Sequence, residues 1–90
     1  MYKIRFSEDA QKGLLRLQQK APQAIKKLIV LLDELKEHPR TGTGKVEVLK
    51  YQQGKAIWSR RINREHRLVY TIEEDFVVVQ VISVFGHYDK

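Results

Sequence analysis

An α+β fold is what this sequence predicts, on three observations. Apolar residues recur at helical spacing from Ala10 to Leu35. They switch to strand-like alternation between Val46 and Ile72, and they fuse into a nearly continuous run from Phe76 to Phe85. The expected architecture is an N-terminal strand and a two-helix hairpin packed on an antiparallel sheet. The 90 residues suffice for one domain, 1–90, with a modest core.

Tyr2–Phe6 alternates around Ile4 and reads as a short first strand. Ser7 is a good N-cap, and Glu8 and Asp9 follow where the helix dipole favours acids. Ala10, Leu14 and Leu17 continue at helical spacing, Leu15 widens the stripe, and Gly13 weakens the helix. Ala21-Pro22 ends this helix and opens a second, because proline suits a first helical turn. Ala24, Ile25, Leu28, Ile29, Leu32 and Leu35 form its apolar stripe, a core or dimer surface, and His38-Pro39 stops it.

Arg40–Lys45 is a loop with Gly42 and Gly44, Val46–Lys50 a strand, and Tyr51–Lys55 a turn around Gly54. Ala56–Ile62 and His66–Ile72 read as a hairpin on the three-residue turn Asn63, Arg64 and Glu65, which sets Arg61 opposite Arg67. Alternation puts Trp58, Ile62, Leu68, Tyr70 and Ile72 on a core-seeking face, with Arg60 the charged exception. Ser59, Arg61, Arg67 and Thr71 take the other face. Two guanidinium groups opposed on one sheet surface repel each other, and a polyanion lying across them relieves that repulsion. His66 reads as a strand-end residue. Glu73-Glu74-Asp75 is a solvated acidic turn, and Phe76–Phe85 is a last strand, central and covered on both faces.

Composition narrows the function. With no cysteine, neither a disulfide nor a thiolate metal site contributes. The opening Met-Tyr-Lys-Ile-Arg carries no leader pattern, and no apolar run is long enough for a membrane helix. The net charge of +6 is uneven. Residues 40–70 hold eight basic side chains against two acids, whereas residues 71–90 hold one against four. A basic excess in one third of a small domain points to a polyanionic partner, or to a solvated basic surface.

No metal or cofactor motif appears. His38, His66 and His87 lack mutual ligand spacing, Ser59 has no base at a recognisable spacing, and Gly42-Thr43-Gly44-Lys45 is too short for a phosphate loop. The set that remains is Glu47, Arg67 and His87. A carboxylate, a guanidinium and an imidazole suffice to cleave RNA without a metal, as base, charge stabiliser and acid. Spacing alone does not bring them together. Taken singly, each also reads as a structural or solvent-facing residue, Glu47 paired with Lys45 or Lys50 for example. Regular alternation puts Glu47 and Lys50 on opposite faces, so a shared site requires the strand to twist or bulge between them.

Gly44-Lys45-Val46-Glu47-Val48-Leu49-Lys50, Trp58-Ser59-Arg60-Arg61-Ile62, Glu65-His66-Arg67-Leu68-Val69-Tyr70 and the late His87-Tyr88 together resemble the YoeB (Txe) toxins of the RelE toxin–antitoxin superfamily. The resemblance covers the chain in element order and implies a RelE-like fold. It further implies cleavage of messenger RNA in the ribosomal A site, without cofactor, in the bacterial cytoplasm. The partners it implies are an acidic YefM/Phd-like antitoxin that folds on the toxin and, in some members, a second toxin copy. Position by position, the family's general base falls on Glu47, its phosphate-stabilising arginine on Arg67, its general acid on His87 and its site tyrosine on Tyr88. Lys50 and Arg61 match basic positions near the substrate, and Lys45 joins them as an RNA contact. Family members often carry proline where Val46 and Val48 stand, and many stop at the His-Tyr pair that Asp89 and Lys90 follow here. Two other functions fit the same fold: a noncatalytic partner-binding toxin, like the gyrase-poisoning ParE relatives, and a plain RNA-binding module.

Overall fold

The computed structural model describes residues 1–88; Asp89 and Lys90, and any effect of that tail, lie outside the described residues. The element order is β1 (Lys3–Phe6), α1 (Glu8–Lys20), a 3-10 turn (Pro22–Ala24), α2 (Ile25–Glu37), β2 (Glu47–Gln52), β3 (Lys55–Arg61), β4 (Arg67–Glu73), a second 3-10 turn (Glu74–Phe76) and β5 (Val78–Ser83). The strands form one sheet in the order β1-β5-β4-β3-β2. The α+β expectation holds, with one correction: β1 runs parallel to β5, so the sheet is mixed rather than antiparallel throughout. The helix pair between β1 and the later strands supplies the crossover that parallel pairing needs.

Local chemistry explains the helices. The Ser7 side chain accepts from the Ala10 N–H at 3.1 Å and caps α1, with Glu8 and Asp9 in its first turn. Pro22 stands at the first position of the 3-10 turn that leads into α2. The buried line of α2 is Leu28, Leu31 and Leu35, continuing from Ala24. Ile29, expected in that stripe, is 53% exposed, and Leu15 on α1 is 60% exposed. Ile29 lies about 100° round the helix from Leu28 and faces away from the sheet. The buried line meets Leu17, Leu68, Tyr70, Val79 and Val81 in one core.

The hairpin forms as expected. Asn63 Oδ1 accepts from the N–H groups of Glu65 and His66 at 2.9 and 2.8 Å, an Asx turn that closes the loop and sets Arg61 opposite Arg67. The last strand starts later than its composition suggests. Phe76 is 77% exposed in the 3-10 turn, Val77 has φ 53°, and regular pairing begins at Val78. Gln80 and Ile82 are only half-buried, so β5 is interior to the sheet but not covered on both faces. The acids 73–75 are also more than a solvated turn. Glu73 pairs with Lys55, and Glu74 pairs with Arg40 and accepts from the Tyr2 hydroxyl.

Arg60, the charged exception on the core face, is fully buried, and every nitrogen of its guanidinium has a partner. Nε donates to the Tyr70 hydroxyl at 3.1 Å, and Nη1 donates to Glu34 Oε1 at 2.7 Å. Nη2 donates to the carbonyls of His38 and Thr41 at 2.5 and 2.7 Å. Tyr70 passes the network on by donating to the Pro39 carbonyl at 2.8 Å. Burial pushes the Tyr70 hydroxyl pKa up. One side chain of β3 thus holds α2 and the loop after it against the sheet. Gly42 fits this clamp only without a side chain: its φ is 126°, and a Cβ would lie 2.5 Å from Glu34 Oε1 and 2.9 Å from Arg60 Nη1.

Arg60→Met should cost about 3–5 kcal/mol in urea unfolding, because it strips partners from buried acceptors and breaks an ion pair at once. Glu34 makes a pH prediction. Its carboxyl sits below the usual 4.5, chiefly because the Thr43 backbone N–H and hydroxyl donate to it, with Arg60 adding to the effect. A carboxyl depressed by folding contributes stability above its unfolded value and loses it as acid protonates the folded form. The deficit of Glu34→Gln relative to wild type should therefore be full near neutrality and shrink as the pH falls below 4.5, read from urea midpoints across pH.

Candidate nuclease site

Half of the site is built on the sheet. Glu47 opens β2 opposite Ser59 of β3, which stands opposite Val69 of β4, so the three share one face. Arg67 lies two residues before Val69 and projects from that same face. Its Nη1 donates to Ser59 Oγ at 3.0 Å and lies 3.4 Å from Glu47 Oε2. Ser59 is fully buried, which fixes the root of that contact. Between Val48 and Lys50 the register shifts by one residue, so Lys50 stands opposite Ile57, on the same face as Ser59. Of the twist or bulge that a common site requires, the bulge is present, and Glu47 and Lys50 share a face because of it.

The other half is the segment after β5. Val84 is buried, and Phe85 packs between two groups. The Arg16 guanidinium lies 4.6 Å from its ring centroid, and the His66 ring also lies at 4.6 Å. Gly86 then turns the chain with φ 74°, a left-handed conformation that glycine adopts without penalty. Its N–H donates to His66 Nδ1 at 2.8 Å, and its carbonyl accepts from the Arg67 N–H at 3.1 Å. An Nδ1 that accepts leaves the hydrogen of a neutral imidazole on Nε2. His66 is therefore a buried latch, not merely the end of a strand. It ties the tail to the residue next to Arg67.

These halves meet in a cleft of about 220 Å³ lined by Leu49, Lys50, Arg67, His87 and Tyr88. Lys50 Nζ sits 5.3 Å from the centroid of the Tyr88 ring, within cation–π range. His87 is exposed at the mouth and Tyr88 is half-buried. Glu47 does not line the cleft but touches it through Arg67, with half its side chain exposed. Lys45 and Arg61 are exposed and stand outside the lining. Lys45 takes φ 55° two residues before Glu47, and the Arg61 N–H donates to the Gly44 carbonyl at 2.6 Å. Among the described residues no cluster of His, Asp and Glu is placed to hold a metal ion, and no helix is long and apolar enough to cross a membrane.

Sequence reasoning missed two residues here. Ser59, which lacks a partner base for a nucleophile, orients Arg67 by accepting from its guanidinium. Sharing strand parity with Arg61 was its only signal. His66 had no signal beyond lying next to Arg67, since its partner is 20 residues away.

The chain matches the family model of the YoeB-like toxin of bacterial type II toxin–antitoxin systems over residues 6–88. It is 39% identical to the toxin YoeB of Synechocystis sp. over 88 residues, 98% of this chain and 99% of that relative. A solved YoeB/ParE toxin from Agrobacterium tumefaciens superposes with a TM-score of 0.83 at 31% identity, covering 96% of this chain and 99% of that one. YoeB from Staphylococcus aureus, 35% identical, superposes with TM-scores of 0.81 as a dimer and 0.77 in a heterotetrameric complex with YefM. These cover 97% and 98% of this chain, and 98% and 99% of those chains.

The latch makes a prediction that needs no substrate. His66→Leu should speed hydrogen exchange at the Gly86 amide by about tenfold. His66→Asn, whose Oδ1 stands in for Nδ1, should keep most of the protection. Amide exchange followed by NMR reads both.

Proposed function

The chain belongs to the family of YoeB-like toxins of bacterial type II toxin–antitoxin systems, and from that membership we propose that it is a ribosome-dependent endoribonuclease. The observation that carries this reading is Arg67, whose guanidinium touches Glu47 and whose side chain shares a cleft wall with His87.

In the reaction, the Glu47 carboxylate takes the proton of a ribose 2′-hydroxyl. The 2′-oxygen attacks the adjacent phosphorus, the bond to the 5′-oxygen breaks, and the His87 imidazolium protonates that departing oxygen. Arg67 stabilises the charge that builds on the phosphoryl oxygens, held in position by Ser59. The products are a 2′,3′-cyclic phosphate and a 5′-hydroxyl. Tyr88, stacked near Lys50, walls the phosphate path. Lys45, Lys50 and Arg61 hold neighbouring phosphates as point charges.

An exposed histidine and a half-exposed carboxylate make an open site. Such a surface neither excludes water nor fixes a flexible nucleotide. Message held on the ribosome arrives already positioned, and alignment of that kind supplies large rate factors. The partner that silences the toxin is an acidic antitoxin laid over the basic face, as YefM accompanies the S. aureus relative.

Glu47→Gln and His87→Gln should each lower cleavage of translated message by about 10²–10⁴-fold, with circular dichroism unchanged. Arg67→Ala should lose both binding and rate. Cut ends are mapped on ribosome-bound message and on the same RNA alone; full cutting by both single variants refutes the residue roles. Equal rates on the two RNAs refute the alignment argument.

A further inference from the structure

A second cleft, of about 350 Å³, opens between α1 and the segment after β5. Asp9, Lys12, Gly13 and Arg16 line one side of it, and Phe85 is part of the other. His87 and Tyr88 belong to both clefts, whereas Glu47 and Arg67 line no part of the second. The tail therefore stands as a partition, with the carboxylate and guanidinium on one side and α1 on the other.

We propose that this second cleft is the subsite for the ribonucleotide on the 3′ side of the cut. The inference rests on the nuclease reading, and the chemistry fixes the polarity. The attacking 2′-oxygen belongs to the upstream nucleotide and the departing 5′-oxygen to the downstream one, and the two lie on opposite sides of phosphorus. The acid must touch the departing oxygen. The downstream nucleotide thus begins at His87, on the side away from Glu47. The cleft found there has the lining a nucleotide needs. Lys12 and Arg16 are one helical turn apart on α1 and offer two cations against the one carboxylate of Asp9. The Arg16 guanidinium lies 4.6 Å from the Phe85 ring centroid, a cation–π contact that holds the charge at the cleft wall. Tyr88 offers a ring on which a base can stack. The message then runs from β2, past Lys50, over the tail and onto α1.

The test uses ribosomes programmed with message bearing a 2′-deoxy sugar just upstream of the cut, which removes the nucleophile. The message ends either at the 3′-phosphate of that sugar or one nucleotide further. Wild-type toxin should bind the longer message about tenfold more tightly. Lys12→Ala and Lys12→Gln, at an exposed position, should abolish that gain, while Lys50→Ala should weaken binding to both messages equally. Variants of α1 that keep the gain, or a wild type that cuts all-ribose message yet gains nothing from the added nucleotide, overturn the subsite alone. A wild type that leaves all-ribose message intact overturns the nuclease reading, and the subsite with it.

Discussion

The buried guanidinium of Arg60 is the contact on which the rest of the arrangement depends. A charge with no exposed surface is tolerable only when its hydrogen-bonding capacity is met, and here Glu34, Tyr70 and the carbonyls of His38 and Thr41 meet it. The acceptors come from α2, from the loop after it and from β4. Satisfying the charge therefore forces those elements together. The loop then delivers Gly44 to the Arg61 backbone and leaves Glu47 opposite Ser59, where the carboxylate can meet Arg67. A core contact thus decides where a surface carboxylate stands.

The two halves of the site are held by different physics. Glu47, Ser59 and Arg67 ride on paired strands, whose ladder resists displacement. His87 and Tyr88 ride on a short segment held by the two hydrogen bonds of the Gly86 peptide and by the packing of Phe85 between Arg16 and His66. Segments with so few buried contacts belong to the low-stability end of a fold. Under the proposed reaction, that division lets the acid approach a departing oxygen only when message is in place. The same proposal asks the basic surface to accept either RNA or an acidic partner.

Much of the fold could be read from the sequence because its determinants are local. The Ser7 cap, the proline entry to the second helix and the Asn63 turn each act within a few residues, and each formed as expected. The hairpin register followed from the turn, so the facing pair Arg61 and Arg67 was legible as well. The start of the last strand, assigned on composition alone, failed. Phe76 and Val77 are apolar but lie in a turn, drawn out of the strand where Glu74 pairs with Arg40 and Tyr2. Ile29 and Leu15 are apolar but face away from the core. The parallel pairing of β1 with β5 joins residues more than seventy positions apart, beyond the reach of any local pattern.

By itself, then, the sequence determined where the helices and the hairpin lie and which face of the hairpin is polar, because capping, periodicity and turn chemistry operate between near neighbours. It also determined the inventory of imidazole, carboxylate and guanidinium. Only the tertiary structure decided that Arg60 is structural while Arg67 faces the cleft, that a bulge turns Lys50 toward Glu47, and that His66 secures the tail while His87 stands at the mouth. Those outcomes depend on partners tens of residues away, and burial and pairing with such partners are settled only when the whole sheet is assembled.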